Sequence, residues 1–139
     1  GDGAQVDGKR IRVSKQLELE GALIGTGFPY RANARWTDDY LAMLKAVMER
    51  TAGIRRPGAA SLDLAYVAAG RTDGFWEIGL NAWDTAAGTL LITEAGGLVG
   101  DLAGETNYLA TGNVIAGNPK IFSQLLQVIQ PHRTPRLAA

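Results

Sequence analysis

Three short segments of the chain carry polar groups that could take part in chemistry. The first is Gly58-Ala59-Ala60-Ser61, which lies at the start of a predicted helix. A glycine there leaves backbone N–H groups open, and the helix dipole favours an anion or a hydroxyl oxygen beside them. The same residues are also typical of an ordinary capped helix that needs slim side chains for packing. The local sequence by itself favours this second interpretation.

Glu77 is the second candidate, and it lies in a predicted strand between Trp76 and Ile78. Because side chains alternate between the two faces of a strand, Glu77 shares its face with Phe75 and Gly79. A carboxylate at such a position is either exposed or buried with a function. The local pattern alone favours exposure.

Asp84 is the third candidate, in the run Trp83 to Gly88 that opens another predicted helix. It could cap the helix by accepting hydrogen bonds from the next amides. It could also bind a hard cation at a helix start whose N–H groups face a phosphate. Magnesium binds few protein carboxylates, so one aspartate suits this role but cannot fill it alone. Glu94, near the other end of the same helix, is interpreted as structural, because the dipole there disfavours a carboxylate.

The composition narrows the chemistry further. Lysine plus arginine and aspartate plus glutamate each number 14, so the net charge of zero argues against a strongly basic nucleic-acid-binding protein. The 139 residues include no cysteine, which excludes disulfides, thiolate catalysis and cysteine-based metal sites. The one histidine, His132, leaves little material for a Ser-His-Asp relay. Carboxylates, hydroxyls, backbone amides and hard metal ions remain.

The elements that must position these groups alternate between strand and helix from residue 22 onward. This alternation predicts an α/β fold in which layered helices cover a mostly buried sheet. The predicted strands are 22–26, 73–80, 98–99 and 113–116. The predicted helices begin at a Thr37 cap and end at Gly53, span Ala59 to Ala69, run from Trp83 to Gly96, and begin at an Asn118 cap. Residues 101–112 are expected to form a loop and residues 131–139 a flexible tail.

A hairpin is predicted for residues 4–14, outside that alternation, with Asp7-Gly8 as its turn. Four basic residues belong to this region: Lys9, Arg10, Arg12 and Lys15. They could contact nucleic acid, but charges on the solvent face of an edge strand are the favoured interpretation.

No apolar run approaches the roughly 18 residues of a membrane-spanning helix. The opening residues Gly1 to Ala4 are also unlike a signal peptide. We therefore expect a cytoplasmic protein with no membrane partner.

Taken together, the motifs resemble the inositol monophosphatase family. Trp83 to Gly88 followed by Glu94-Ala95-Gly96-Gly97 is similar to the second signature of that family. Gly58-Ala59-Ala60 and Glu77 lie upstream at the spacings that the family shows. Two further stretches resemble its mid-chain hairpin and its last strand and turn, namely Gly3 to Ser14 and Gly112 to Asn118. The resemblance covers residues 1 to about 130.

The resemblance implies a magnesium-dependent phosphomonoesterase of the layered, sugar-phosphatase type, commonly a lithium-inhibited homodimer. Asp84 would match the catalytic, metal-binding aspartate, which also contacts substrate. Glu77 and the residues Gly58, Ala59 and Ala60 would match the groups that hold the hydroxyls of inositol. The expected substrate is inositol monophosphate, with other sugar or nucleotide phosphates as alternatives within the family.

The first signature of the family, an Asp-Pro-Ile/Leu-Asp-Gly-Thr block, is absent from the sequence. The chain therefore resembles the C-terminal half of such an enzyme. On this interpretation residues 1–20 form a hairpin of an N-terminal α+β domain, 21–130 form the C-terminal α/β domain, and 131–139 form the tail.

A binding role is the alternative from a different class. Some bacterial proteins that resemble this family act with the transcription or RNA-processing machinery. The basic hairpin and the pair Arg55-Arg56 could contact RNA polymerase or nucleic acid, although the neutral net charge adds no support.

We expect this chain by itself to have no magnesium-dependent phosphatase activity. Asp84 alone cannot hold several magnesium ions against the hydration that they would lose. The measurement is phosphate release from inositol monophosphate by the purified 139-residue chain, with and without magnesium. Sustained magnesium-dependent release would contradict the expectation. We also expect marginal stability or self-association, because helix and sheet surface suited to another domain would be exposed.

Overall fold

The computed structural model describes residues 5–6, 9–27, 35–56 and 58–133. The strands are β1 (Gln5–Val6), β2 (Lys9–Arg10), β3 (Leu23–Thr26), β4 (Gly53–Arg55), β5 (Gly74–Glu77), β6 (Leu98–Gly100) and β7 (Val114–Gly117). The helices are α1 (Thr37–Met48), α2 (Ala60–Ala68), α3 (Ala82–Glu94), α4 (Tyr108–Thr111) and α5 (Pro119–Ile129). Short 3₁₀ turns occupy Leu19–Gly21 and Gln130–His132.

A five-stranded sheet in the order β4-β3-β5-β7-β6 forms the centre of the fold. β3 pairs in parallel with both β4 and β5, whereas β7 pairs antiparallel with β5 and β6. The carboxyl ends of β4, β3 and β5 therefore lie at one edge of the sheet.

Helices cover both faces of this sheet, as the alternating sequence predicts. On one face α1 and α5 pack against side chains such as Ile24, Trp76 and Ile115. On the other face α2 and α3 pack against Phe75, Val114 and Ala116. The alternation predicted for residues 75–78 is confirmed, because Trp76 and Ile78 lie in the first cluster and Phe75 lies in the second.

Tyr40 ties α1 to the carboxyl ends of the central strands. Its hydroxyl shares a 2.9 Å hydrogen bond with the Thr26 hydroxyl at the end of β3. Its ring stacks on Trp76 of β5 at a centroid distance of 5.7 Å. Both rings are fully buried, so this contact fixes the sheet edge from the α1 side.

α2 and α3 approach each other closely because α3 has a glycine at their contact. A Cβ built on Gly88 would lie 2.8 Å from the Cβ of Leu64, which is closer than real side chains allow. Leu64 thus fills the space that Gly88 leaves, and the two helices present their N-termini side by side.

The outer side of α3 is apolar but exposed. Trp83 is 85% exposed and Leu90 is 64% exposed, and Ala86 and Ala87 between them are exposed as well. A helix that is apolar on every side is typically covered on every side. The surface expected from the sequence is therefore present on α3, and self-association through it stays a prediction.

The predicted hairpin is confirmed where the structure describes it. β1 and β2 pair antiparallel, with Gln5 opposite Arg10 and Val6 opposite Lys9, in a sheet separate from the five-stranded one. The predicted Asp7-Gly8 turn lies outside the described residues.

The boundaries of the first helix were predicted wrongly. Thr37 is its first residue rather than its cap, since Trp36 occupies the cap position without a capping side-chain bond. The helix ends at Met48, well before Gly53. Gly53 instead begins β4, because the Ala52 amide donates to the Ala22 carbonyl and brings the chain alongside β3.

Two other expectations need correction or fall partly outside the structure. The predicted loop of 101–112 contains α4, which ends at Gly112 in a left-handed conformation with φ of 72°. Gln130–His132 form a 3₁₀ turn at the start of the predicted tail, while residues 134–139 lie outside the described part of the chain. No helix among the described residues is long and apolar enough to cross a membrane.

We expect Gly88→Ala to lower the free energy of unfolding by ~1–3 kcal/mol through overpacking against Leu64. This is the net effect, after the ~1 kcal/mol that alanine gains over glycine in a helix. Urea denaturation measures the effect, and Leu64→Ala provides the matched background. That background removes the Cγ and Cδ1 contacts and leaves only the Cβ contact at 2.8 Å, so the cost of Gly88→Ala should shrink without vanishing. An equal cost in both backgrounds would show that the helix contact is not the cause.

Candidate functional site

A cleft of ≈ 390 Å³ opens at the edge of the sheet where the parallel strands end. Gly27 follows β3, Arg56 follows β4, and Glu77 is the last residue of β5. α2 and α3 begin at the same edge. The cleft is lined by Gly27, Arg56, Gly58, Ala59, Ala60, Ser61, Glu77, Gly79, Leu80, Asn81 and Asp84. Ligands of open α/β sheets commonly bind outside the carboxyl ends of the strands, where the strand order reverses.

The cleft contains every site residue predicted from the sequence. Gly58, Ala59 and Ala60 come from the start of α2, Glu77 comes from β5, and Asp84 comes from the first turn of α3. The structure thus brings together residues that local sequence treats as unrelated. Their assignment to substrate and metal stays a prediction.

Glu77 occupies space that a glycine leaves open. A Cβ built on Gly27 would overlap the Glu77 carboxyl group, whose Cδ lies 2.7 Å from that position. Glu77 is consequently half-buried against the end of β3. The exposure that its local pattern favoured is therefore not observed. The missing side chain at position 27 is what leaves room for the carboxylate beside the end of β3.

The pKa of Glu77 is raised from 4.5 to about 7. Burial is the largest cause, the carboxylates of Asp63 and Asp84 contribute in the same direction, and the Arg56 guanidinium acts in the opposite direction. Glu77 therefore changes charge near neutral pH, where an unperturbed glutamate would be fully ionised.

Asp84 lies in the first turn of α3 and is not its cap. Asn81 is the cap, and its side-chain oxygen accepts a 2.9 Å hydrogen bond from the Asp84 amide. In return the Asn81 amide group donates to Asp84 Oδ2 at 2.9 Å. This reciprocal pair stabilises the helix start and fixes the orientation of the Asp84 carboxylate.

The turn that carries Asn81 is anchored from a distant part of the chain. The Leu80 amide donates to the Gly112 carbonyl at 2.8 Å, and the Gly79 amide donates to Asn113 Oδ1 at 3.1 Å. A Cβ on Gly112 would lie 2.8 Å from the Leu80 nitrogen, so only glycine fits there. The α4–β7 junction thus holds the start of α3 in place.

The start of α2 has no capping side chain. Ala59 occupies the cap position with an extended backbone, and Gly58 precedes it with φ of 90°. Such a helix start offers its first N–H groups to an oxygen from a ligand or from water. The structure thus shows no side-chain cap at this helix start, and the choice between a packing role and a binding role for Gly58–Ala60 stays open.

Sequence reasoning missed two charged residues of this region, Asp63 and Arg56. Asp63 lies in the first turn of α2, is only 3% exposed, and has a pKa raised by burial to about 6. An aspartate inside a helix of small apolar residues was the available signal. Arg56 is exposed and lines the cleft beside Glu77, whereas the sequence indicated it only as part of the pair Arg55-Arg56 that could contact RNA polymerase or nucleic acid.

A magnesium site would need more donors than the described residues supply. Among them, no group of three histidines, aspartates or glutamates is close enough to hold a metal ion. Asp84 fits the role of one ligand, because Asn81 holds one of its oxygens and the other is not used in that pair. Hard carboxylate oxygens also match the preference of magnesium.

A larger groove of ≈ 720 Å³ lies elsewhere, between the first 3₁₀ turn, α1 and the end of α5. It contains none of the predicted site residues. Size alone favours the larger groove, whereas the convergence of strand ends, helix starts and carboxylates makes the smaller cleft the candidate site.

Known proteins resemble this chain in sequence and in fold. A sequence model of the inositol monophosphatase family matches residues 1–134. A protein of Pseudomonas aeruginosa named Nus factor SuhB is 58% identical over 138 residues, which are 99% of this chain and 51% of that protein. The chain spans about half the length of the curated relatives that it matches.

Solved structures share the fold. The extragenic suppressor protein suhB from Bartonella henselae matches with a TM-score of 0.89 and 47% identity, over 94% of this chain and 49% of that chain. The inositol monophosphatase from Anabaena (Nostoc) sp. PCC 7120 matches with a TM-score of 0.88 and 39% identity, over 100% of this chain and 57% of that chain. The layered α/β fold expected from the sequence is therefore confirmed.

We expect Gly27→Ala to push the Glu77 carboxylate out of its half-buried position. Its pKa should then fall from about 7 towards 4.5, the value of an unperturbed glutamate, because burial is the largest cause of the increase. Carbon-13 NMR of the side-chain carboxyl, assigned by comparison with Glu77→Gln, measures this.

Gly25→Ala is the matched control for this test. A Cβ there would make only ordinary contacts, 3.4 Å from the Phe75 ring and 3.8 Å from Asp63 Oδ1. The titration of Glu77 should be unchanged. A change of equal size in both variants would contradict the role given to Gly27.

Proposed function

The chain belongs to the inositol monophosphatase family. On that premise we propose that it is part of a magnesium-dependent phosphomonoesterase that hydrolyses inositol monophosphate. The observation that carries the proposal is the cleft itself, which joins one cation-ligand candidate, one half-buried carboxylate and one uncapped helix start. The cation-ligand candidate suits the phosphate with its metal. The half-buried carboxylate can accept hydrogen bonds from ring hydroxyls, and the helix start can donate hydrogen bonds to hydroxyl or phosphate oxygens.

Glu77 is proposed to hold the ring hydroxyls. An ionised carboxylate accepts hydrogen bonds from two neighbouring hydroxyls, which favours a polyol over a ligand without them. Its half-buried position strengthens such bonds, because fewer water molecules compete there. Whereas Glu77 accepts hydrogen bonds, the N–H groups at the start of α2 can donate them to hydroxyl or phosphate oxygens.

Asp84 is proposed to bind the cation. The Asn81 bond to Oδ2 fixes the orientation of the carboxylate before any ligand arrives, which reduces the ordering needed on binding. When bound, magnesium supplies charge that activates a water and stabilises the phosphate oxygens. The first turn of α3 adds the positive end of its dipole beside the same position.

Other properties of the protein are proposals at the same level. We expect a homodimer, lithium sensitivity and a cytoplasmic location, as the resemblance implies. Leu41 and Met48 leave an exposed apolar surface on α1 that is suited to a protein contact. Another sugar or nucleotide phosphate is the alternative substrate, and parallel assays on the protein at the length of its relatives distinguish them.

A second function is favoured by one finding, the name Nus factor SuhB carried by a relative at 58% identity. We propose as an alternative that the protein acts with the transcription or RNA-processing machinery. Exposed basic residues are available for contacts with RNA polymerase or nucleic acid: Arg10, Arg12, Lys15 and Arg55. The two functions use different surfaces and are not exclusive.

We expect Asp84→Asn to lower kcat for inositol monophosphate by about 100-fold or more, because it removes a charged metal ligand. The measurement is magnesium-dependent phosphate release by the protein at the length of its family relatives. Asp38→Asn is the matched control, since Asp38 is an exposed aspartate in the first turn of α1 and outside the cleft.

Unchanged activity in Asp84→Asn would contradict the phosphatase proposal. Capture of purified RNA polymerase separates the second function. Capture that survives Asp84→Asn but weakens with added salt would support a surface contact that is independent of the cleft. No capture by the unsubstituted protein would contradict it.

A further inference from the structure

Two carboxylates lie over the same face of β3, each above a glycine. Gly25 and Gly27 are two residues apart, so their missing side chains would point to the same side. Asp63 Oδ1 lies 3.8 Å from the position of a Cβ on Gly25. The Glu77 carboxyl fills the corresponding position on Gly27. Since strand residues rise by about 3.3 Å each, the two carboxyls are neighbours along the strand.

Asp63 is buried without a full set of partners. Its side chain is 3% exposed, and its Oδ2 atom accepts no hydrogen bond from any described residue. A buried carboxylate that lacks partners is costly to ionise and acts over a longer range than an exposed one. Asp63 does not line the cleft, so we expect it to influence a ligand indirectly, through its effect on the charge of Glu77.

Arg56 brings a positive charge to the cleft that Glu77 lines. It follows β4, the neighbour of β3, and lines the cleft together with Glu77. A guanidinium stays charged at every relevant pH, so its influence on Glu77 has a constant sign.

We propose that Asp63 and Arg56 are positioning residues that act on Glu77 with opposite signs, Asp63 favouring its protonated form and Arg56 its ionised form. The balance lets Glu77 give up a proton as a polyol hydroxyl binds. The inference rests on the proposed function, in which Glu77 holds a hydroxyl of the substrate.

The other titratable groups around Glu77 leave the opposing effects of Asp63 and Arg56 in place. Asp84 faces it from α3 and also disfavours its ionisation. Tyr40 lies on the α1 side, where burial, with a smaller contribution from Glu77, raises the pKa of the phenol above its usual value, so it carries no charge near neutral pH. The pKa of about 7 for Glu77 is the result of these groups together with burial.

The consequence is a substrate affinity that depends on pH near neutrality. Below pH 7 Glu77 is protonated and loses its capacity to accept two hydroxyl bonds, so KM for a polyol phosphate should rise as the pH falls. Asp63→Asn removes a negative neighbour and should move this rise to lower pH. Arg56→Gln removes a positive neighbour and should move it to higher pH.

The first experiment measures Glu77 directly, in magnesium-free protein at the length of its family relatives. Carbon-13 NMR follows its carboxyl against pH. We expect the pKa to fall by roughly half a pH unit or more in Asp63→Asn and to rise by a similar amount in Arg56→Gln. The double variant should return close to the unsubstituted protein. A loss of packing would not produce opposite shifts that cancel.

The controls carry the same chemical changes at positions outside the cleft. Asp101→Asn alters another buried aspartate, which accepts bonds from the Ala103 and Glu105 amides. Arg71→Gln alters an exposed arginine beyond the opposite end of α2. Neither should move the titration of Glu77. If Asp63→Asn fails to fold, Arg56→Gln still tests the proposal, because its residue is exposed.

The second experiment measures KM and kcat for inositol monophosphate between pH 5.5 and about 8.5 with saturating magnesium, the range that brackets Glu77. The pH at which KM begins to rise should move lower in Asp63→Asn and higher in Arg56→Gln. The effect on kcat should be smaller in both variants. Shifts in the same direction, or none in either experiment, would overturn the inference. Absence of activity in the unsubstituted protein would instead contradict the proposed function, and the NMR titration would still decide the roles of Asp63 and Arg56.

Discussion

A carboxylate held over a glycine at the end of a parallel strand is the constraint on which this site depends. Glu77 can take its place only because Gly27 has no side chain, and burial there moves its charge change close to neutral pH. Asp63 lies two residues back along the same face, 3.8 Å from the position of a Cβ on Gly25, so that position has room for a side chain. The absence of a side chain at Gly27 therefore shapes the cleft, and the buried Asp63 nearby adds to its electrostatics.

The rest of the fold brings complementary groups to that edge. β4 and β5 run parallel to β3, so the chain leaves all three strands on the same side, and α2 and α3 begin there. Gly88 lets the two helices approach until Leu64 fills the gap between them. Tyr40 of α1 contacts Thr26 and Trp76 and so fixes α1 against the carboxyl ends of β3 and β5. Each helix start thus faces the same small volume.

Sequence predicted the parts of this arrangement that depend on local pattern. Period-two alternation gave the correct faces for Phe75 and Trp76, and Asn118 with Pro119 marked the start of α5. It failed at β4, whose three residues join the sheet through pairing with β3 rather than through any pattern of their own. Asp63 and Arg56 were missed for the same reason, because their roles depend on contacts between residues distant in sequence. The sequence left Asp84 as a possible cap of α3, but Asn81 takes that place, and the two are both good capping residues three positions apart.

The central claim is that one cleft holds both the polyol and the metal-bound phosphate, through Glu77 and Asp84. A crystal structure of the protein at the length of its relatives, grown with inositol monophosphate and a calcium or magnesium salt, tests it directly. The account predicts a ring hydroxyl within hydrogen-bond distance of the Glu77 carboxylate and an Asp84 oxygen bound to the cation. A ligand bound with its ring away from Glu77, or a cation that Asp84 does not touch, would contradict it.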